Sequence, residues 1–308
     1  MSGLVRFLLG RVLGVLLTLL GVSIVAFLLL HMLPGSLPAE MLGRQATPAR
    51  VRLLAHLLGI DEPLPVQYLR WLALLFSRGV LQEIASIAMP TLELLLLGGG
   101  VALLASLAIA GLQARLRGSL LDRALGIAAY ALYTLPSFWV GLMLLWLFAD
   151  MLLWLPATGP LPTPGQGVLA WWLSMVLPVA TLALATIASW STLFRAAIED
   201  ALRSDYVRTA RAKGLSDRQV VRRHALRPAA LPVITVVGMS LPTMFNNVVA
   251  IEIVFSMAGL GSSLVGAVGA LQYGVSGYLV LVIAALTAAG SLAADILYAF
   301  ADPRIQFA

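Results

Sequence analysis

The chain has 308 residues, of which 60% are hydrophobic and 11% charged, and its net charge is +6. Soluble domains carry about 25% charged residues, so the composition excludes an ordinary soluble enzyme and a disordered tail. The chain contains no cysteine, which excludes a disulfide scaffold, a thiolate nucleophile and a zinc-thiolate site.

Six stretches are long and apolar enough to cross a membrane, which takes about 20 residues in a helix. Because backbone polar groups cannot stay unpaired in lipid, we predict that each stretch is helical. The first resembles a signal peptide in its charge pattern, but its apolar run is long and no small-residue cleavage site follows, so we predict a retained span. The six stretches are approximately residues 10–30, 91–111, 125–149, 171–190, 231–254 and 278–299.

The basic residues predict the orientation of these spans. With both termini in the cytoplasm, 15 of the 20 basic residues lie inside and five lie outside, all five in the long loop at residues 31–90. This asymmetry follows the positive-inside rule and predicts an N-in, C-in topology. The only lysine, Lys213, then lies in the inner loop at residues 191–231.

The outer loop at residues 31–90 carries signals for two helices. Thr47 followed by Pro48 is typical of a helix start, and Gly59 suits the end of that helix. Tyr68–Leu72 is a second amphipathic stretch, and its aromatic residues fit a helix at the membrane interface. The pair either caps the bundle or docks an extracytoplasmic partner.

The inner loop at residues 191–231 is the most informative segment. It holds nine basic and four acidic residues, and its pattern predicts a helix at Ile198–Lys213, a break at Gly214 and a second helix. Ser216 and Gln219 form a capping box for that second helix, which we expect to end at Arg227, before a proline. A short, preorganised helical pair predicts a protein-docking element, with anionic lipid as the alternative. No motif supports binding to nucleic acid.

This loop resembles the coupling loop of ABC importer permeases, in the branch that handles dipeptides, oligopeptides and nickel. The similarity rests on Asp205–Ser216 followed by Arg223–Arg227. Other motifs of that branch follow in the expected order along almost the whole chain. They are Met32–Gly35, Leu58–Pro63, Pro90–Leu94, Pro136–Trp139, Leu155–Gly159, Ile251–Phe255 and Asp302–Ile305.

The resemblance implies an all-α type I ABC importer transmembrane fold with six spans and cytoplasmic coupling helices. Residues 1–90 would form the first span and the long extracytoplasmic loop, residues 91–299 the shared transmembrane domain, and residues 300–308 a cytoplasmic tail. It implies a place in the bacterial inner membrane beside a homologous second permease, two ATPase subunits and an extracytoplasmic substrate-binding protein. The residues implied to contact the ATPase are Tyr206, Val207, Arg208, Thr209, Ala210, Arg211, Ala212, Lys213, Gly214 and Leu215.

The residues themselves argue against an ATP site in this chain. A P-loop needs a lysine between glycine and serine or threonine, whereas the only lysine, Lys213, follows Ala212. We therefore expect no catalytic residue and no cofactor here, with ATP and magnesium bound by the partner ATPase subunits.

Polar residues within the spans are candidates for the translocation path or its gates. Glu93 and Glu252 lie near predicted outer ends, where structural or gating contacts are expected and contact with a substrate amine is the alternative. Asn246 and Asn247 lie mid-span and are pore candidates, since buried amides need partners or water; hydrogen bonding between helices explains them equally well. Asp295 is expected to pair with a basic residue near the inner face. The three histidines lie on separate segments and predict no metal site.

The leading hypothesis is a permease subunit of an ATP-driven importer, forming half of a path for di- and oligopeptides by alternating access. A nickel or metal-chelate importer is the closest alternative. A proton-coupled carrier fits the composition but leaves the loop around Gly214 unexplained. An intramembrane enzyme would need paired catalytic residues at matching depth, and Asp295 has no such partner in the sequence.

Overall fold

The computed structural model describes residues 3–32, 37–59, 61–160, 167–216, 219 and 226–301. These residues form twelve α-helices, joined by one 3₁₀ turn at Gly43–Gln45 and one π-helical turn at Trp146–Met151. The helices are α1 (Gly3–Met32), α2 (Leu37–Leu42), α3 (Pro48–Leu58), α4 (Leu64–Leu75), α5 (Arg78–Arg115), α6 (Leu120–Thr134), α7 (Ser137–Leu145), α8 (Val168–Arg203), α9 (Asp205–Ala212), α10 (Leu226–Val254), α11 (Leu260–Gly269) and α12 (Tyr273–Ala301).

Within the described residues, five helices are long and apolar enough to cross a membrane, and the bent pair of α6 and α7 gives a sixth crossing if its two halves are counted as one broken span. All six predicted stretches are thus helical, but the third is not one straight span. α6 and α7 meet at an angle of 103°. Leu135 between them is extended, with φ −86° and ψ 134°, because the ring of Pro136 disfavours a helical conformation in the preceding residue. We call this point the α6–α7 break.

The centre of the bundle is formed by α5, α8 and α10. Leu94 on α5, Leu182 and Phe194 on α8, and Ile251 on α10 are fully buried in one continuous core. Gly98 lets α5 approach α8 closely, because a Cβ atom there would lie 2.7 Å from Cδ2 of Leu182. Gly98 is the first of three consecutive glycines, and it permits close packing of α5 on α8.

The outer helix α4 is anchored to α1 and α12 by an aromatic cluster. The rings of Trp71 on α4 and Tyr278 on α12 are stacked with centroids 5.2 Å apart, and Phe27 of α1 packs against the same tryptophan. The hydroxyls of Tyr68 and Ser23 are 2.7 Å apart. Through this face α4 is a packed cap on the bundle. α3 begins and ends as predicted, with Thr47 as its N-cap and Gly59 in the left-handed region at φ 69°.

The inner segment differs from its prediction in two places. The helix predicted over Ile198–Lys213 is interrupted at Ser204, which is extended with ψ 153°; serine favours such cap positions because its hydroxyl competes for backbone hydrogen bonds. The second helix, predicted before Arg227, lies almost wholly outside the described residues, except that Gln219 Oε1 accepts from Ser216 N–H at 3.1 Å. The described part of α10 covers Leu226–Val254 and so runs through Arg227 and the following proline, where the predicted helix was expected to end.

Candidate functional site

α9 is a short amphipathic helix that packs against the end of α8. Val207 and Ala210 are 0% and 4% exposed, and they contact Leu202 of α8 and Leu215 beyond α9. Apolar contact with its own chain therefore holds this helix in place. The other side is exposed and carries Arg208, Thr209, Ala212 and Lys213. The side chains of Tyr206 and Arg211 are not among those that the structure describes.

Gly214 ends α9 in a conformation that favours glycine. Its φ is +82°, and the N–H of Leu215 donates to the carbonyl of Ala210 at 3.3 Å, which is the pattern of a Schellman motif with its apolar contact. A Cβ atom at Gly214 would meet no atom within 4 Å among the described residues. A side chain at this position would therefore disturb the break through backbone strain at positive φ and not through a clash with the described residues of this chain.

A cluster of ion pairs joins α6 to α8 shortly before α9. Nη1 of Arg195 lies 2.6 Å from Oδ1 of Asp122, and its Nε donates to Oε1 of Glu199 at 2.8 Å. Arg117 and Arg203 each lie 3.6 Å from Oε2 of Glu199. The Asp122 side chain is 5% exposed and that of Arg203 is 61% exposed, so the contacts of Arg195 are the shielded ones.

Asp122 also organises the start of α6. The hydroxyl oxygen of Ser119 accepts from the N–H of Asp122 at 3.2 Å, and Oδ2 of Asp122 accepts from the N–H of Gly118 at 2.9 Å. A carboxylate in the first turn interacts favourably with the helix dipole. The Asp122 side chain therefore fixes the turn before α6 and also ties α6 to α8.

A cavity of about 600 Å³ lies between the α6–α7 break, α8 and α10. Two aromatic side chains, Tyr133 and Trp190, line it, and the indole Nε1–H of Trp190 donates to Oγ of Ser240 at 2.9 Å. Its other polar lining residues are small and uncharged. They are Ser137, Ser189, Thr243 and Asn247.

Glu252 lies at the opposite end of the bundle from α9 and is fully buried. Its Oε1 accepts from the hydroxyl of Thr91 at 2.6 Å, and its Oε2 accepts from the N–H of Ser262 at 2.8 Å. Thr91 Oγ1 accepts in turn from the N–H of Leu260 at 2.8 Å. Gly259, the N-cap position of α11, has no side chain, and a Cβ atom there would overlap the Glu252 carboxylate. Glu252 thus supplies the cap of α11 from α10.

The four predicted path residues occupy different environments. Asn247 lines the cavity, whereas Asn246 is exposed on another side of α10. Glu93 is half-buried on α5 and makes no hydrogen bond or ion pair with any part of the chain that the structure describes. Glu252 lies in the α10–α11 contact, away from the cavity. Asp295 pairs with a basic residue as expected, its Oδ2 lying 3.3 Å from Nε of Arg11.

Two sequence profiles match the chain almost from end to end. The family described as "Binding-protein-dependent transport system inner membrane component" matches residues 102–307, and its N-terminal companion matches residues 4–95. The chain belongs to this family. It is therefore a multi-pass protein of the bacterial inner membrane with the type I ABC importer permease fold, and it is the permease component and not the ATPase of its transporter.

Full-length relatives carry transport names. The "Di/tripeptide transport system permease protein DppB" of Pseudomonas aeruginosa is 36% identical over 332 residues, covering 96% of this chain and 98% of the relative. The "Glutathione transport system permease protein GsiC" of Pectobacterium atrosepticum is 33% identical, covering 99% and 100%. The "Probable peptide ABC transporter permease protein y4tP" of Sinorhizobium fredii is 33% identical, covering 98% and 99%.

The sequence did not predict the features of the candidate site that depend on contacts between distant segments of this permease. Asp122 was one charge among several near the inner loops, and only its contact with Arg195 distinguishes it. The cavity residues Ser137 and Thr243 are isolated hydroxyls in apolar helices. A usable signal was Pro136, which marks a break in the middle of a span and hence backbone that needs a polar or buried environment.

The ion pairs of Arg195 are expected to stabilise the contact between α6 and α8. We expect Arg195→Gln to lower the midpoint of thermal unfolding in detergent by on the order of 5 °C, because it leaves the buried Asp122 carboxylate without its cation. Arg195→Lys should recover part of the loss, since an ammonium cannot form the forked contact. Arg203→Gln, on the same helix but exposed, is the matched control, and an equal shift there would contradict the assignment.

Proposed function

We propose that this chain is the permease subunit of an ATP-driven importer of short peptides and forms half of the translocation path by alternating access. The observation that carries this proposal is the end-to-end similarity to permeases named for di/tripeptide and glutathione transport. A permease of this family works with an ATPase and a substrate-binding protein. The finer composition that we infer is one homologous second permease, two ATPase subunits that bind ATP and magnesium, and one extracytoplasmic binding protein.

The proposed ATPase contact is α9 together with its end at Gly214. α9 presents an exposed face with Arg208 and Lys213 while its apolar face is held by Leu202. A helix that is packed on one side and exposed on the other can transmit a displacement from a docked subunit. That displacement would be transmitted along α8 to Arg195 and from there to α6, which lines the cavity. This arrangement supports an N-in, C-in orientation, because ATP is available only on the cytoplasmic side.

The function is tested by isolation and reconstitution. A tagged chain purified from its own membrane is expected to bring down a second permease and ABC ATPase subunits, identified by mass spectrometry. In proteoliposomes with the binding protein, the complex is expected to import tripeptides only when ATP is present on the side of the ATPase. Peptide import that continues without ATP hydrolysis would contradict the proposal. An intact complex that imports no peptide would also contradict it.

The same proteoliposomes separate the alternatives. A nickel or metal-chelate importer would take up nickel and leave peptides outside. A proton-coupled carrier would lose uptake when an ionophore collapses the proton gradient, whereas ATP-driven import is expected to continue.

A further inference from the structure

We propose that the cavity beside the α6–α7 break is a transit site that contacts peptides through their uncharged groups and accepts peptides of either net charge. This rests on the proposed function as a peptide importer. The ligand groups recognised would be main-chain amides and apolar or aromatic side chains, while charged termini and charged side chains stay in water.

The chemistry of the wall carries the inference. Among the described residues that line the cavity, none has a charged side chain. A wall without counter-charges cannot compensate the cost of taking an ammonium or carboxylate group out of water. Neutral amides and hydroxyls, in contrast, can exchange hydrogen bonds with a peptide main chain at little net cost.

Several lining groups are available for such hydrogen bonds. The side chains of Tyr133, Ser137, Thr243 and Asn247 line the cavity, and in the described part of the chain none of them makes a hydrogen bond. Ser240 differs, since it accepts from Trp190 and donates to the carbonyl of Val236. The four side chains without a hydrogen bond include donors and acceptors. Both the N–H and the C=O of a peptide bond can therefore form hydrogen bonds with them.

The described surroundings of the cavity add no unpaired charge to its wall. Extended backbone at Leu135 and Pro136 borders it, and non-helical backbone at membrane depth requires protein or water around it. Arg195, two positions after the lining residue Leu193 on α8, is already paired with the carboxylates of Asp122 and Glu199. No excess charge therefore acts on a peptide from this wall.

The native absence of cysteine makes the test specific to one position. In the reconstituted complex, Thr243→Cys is modified with a cationic or an anionic methanethiosulfonate, against a background of partner subunits freed of reactive cysteines. Uptake of Ala-Lys-Ala is compared with uptake of Ala-Glu-Ala, each presented on saturated binding protein.

Before modification, the uptake rates of the two peptides are expected to agree within about twofold. The cationic adduct should lower the lysine-to-glutamate ratio about tenfold and the anionic adduct should raise it by a similar factor, as expected for charges a few ångströms apart in a wet site.

Leu53→Cys is the matched control, since Leu53 is 62% exposed on α3, outside the membrane-spanning helices, and does not line the cavity; its adducts should leave the ratio unchanged. The proposal would be overturned if the cationic and the anionic adduct at residue 243 each reduced uptake of the two peptides equally. It would also be overturned if neither adduct changed the uptake of either peptide. An unmodified permease that discriminates the two loaded peptides by tenfold or more would overturn it as well. If the unmodified complex imports no peptide at all, it is the proposed function that fails, and the two failures are thereby distinguished.

Discussion

Replacing Gly214 with valine is expected to abolish the stimulation of ATPase activity by the loaded binding protein, and with it transport, while the permease still inserts in the membrane. The φ of +82° at this position forces a β-branched residue into a conformation that costs about 1–3 kcal/mol. Relief of that strain would shift Leu215 off Val207 and Ala210 and so displace α9. Transport should fall at least about tenfold, since 1.4 kcal/mol corresponds to a factor of ten.

Two further substitutions separate strain from bulk. Gly214→Asn is expected to keep much of the activity, because asparagine tolerates the left-handed region. Gly214→Trp should be as inactive as Gly214→Val, through strain and through overlap with a docked ATPase. ATPase stimulation and uptake are measured on equal amounts of membrane-inserted complex. Normal transport by Gly214→Val and Gly214→Trp would refute the docking role of α9.

Glu252→Ala is expected to produce the largest loss of stability. It removes the acceptor for the Thr91 hydroxyl and the Ser262 amide, both at a fully buried carboxylate. A buried donor left without an acceptor costs about 1–3 kcal/mol, and a cavity adds to this. The total of about 3 kcal/mol or more should lower the midpoint of thermal unfolding in detergent by roughly 5–10 °C.

Matched variants identify the cause of that loss. Glu252→Gln should recover part of the stability, because the amide oxygen can still accept one of the two hydrogen bonds. Gly259→Ala should be destabilising although its backbone is extended, since the new methyl group would overlap the carboxylate. Glu83→Gln, at an exposed position on α5, should leave the midpoint unchanged. A stable Glu252→Ala variant would mean that α11 is held by its apolar contacts alone.

Hydropathy was sufficient to locate the six spans, because the thickness of a bilayer imposes a length that a sequence must satisfy. It did not locate α11, a ten-residue helix that is too short to span and that depends on Glu252 for its cap. Local cap signals were read correctly at Thr47 and Gly59, where the interaction is within one turn. The break at Ser204 was not predicted, because no glycine or proline marks it.

The candidate site was predictable only where its residues are contiguous. The segment around Gly214 is a continuous motif, and the sequence therefore indicates it directly. The cavity combines Tyr133, Ser137 and Thr243 from three helices, and the ion pair combines Asp122 with Arg195 across 73 positions. Such contacts are set by how α6, α8 and α10 pack, which no local pattern encodes.

The break between α6 and α7 bears on how the membrane stays sealed during transport. Because two separate helices meet there, each half of the span can tilt without the other. α6 is tied to α8 close to α9, whereas α7 packs against α8 and α10 towards the end where Glu252 lies. If the permease alternates its access as proposed, we expect rotation at Leu135 to widen one mouth while the other remains closed. In a membrane that stores a proton gradient, such a separation would let a solute cross without short-circuiting that gradient.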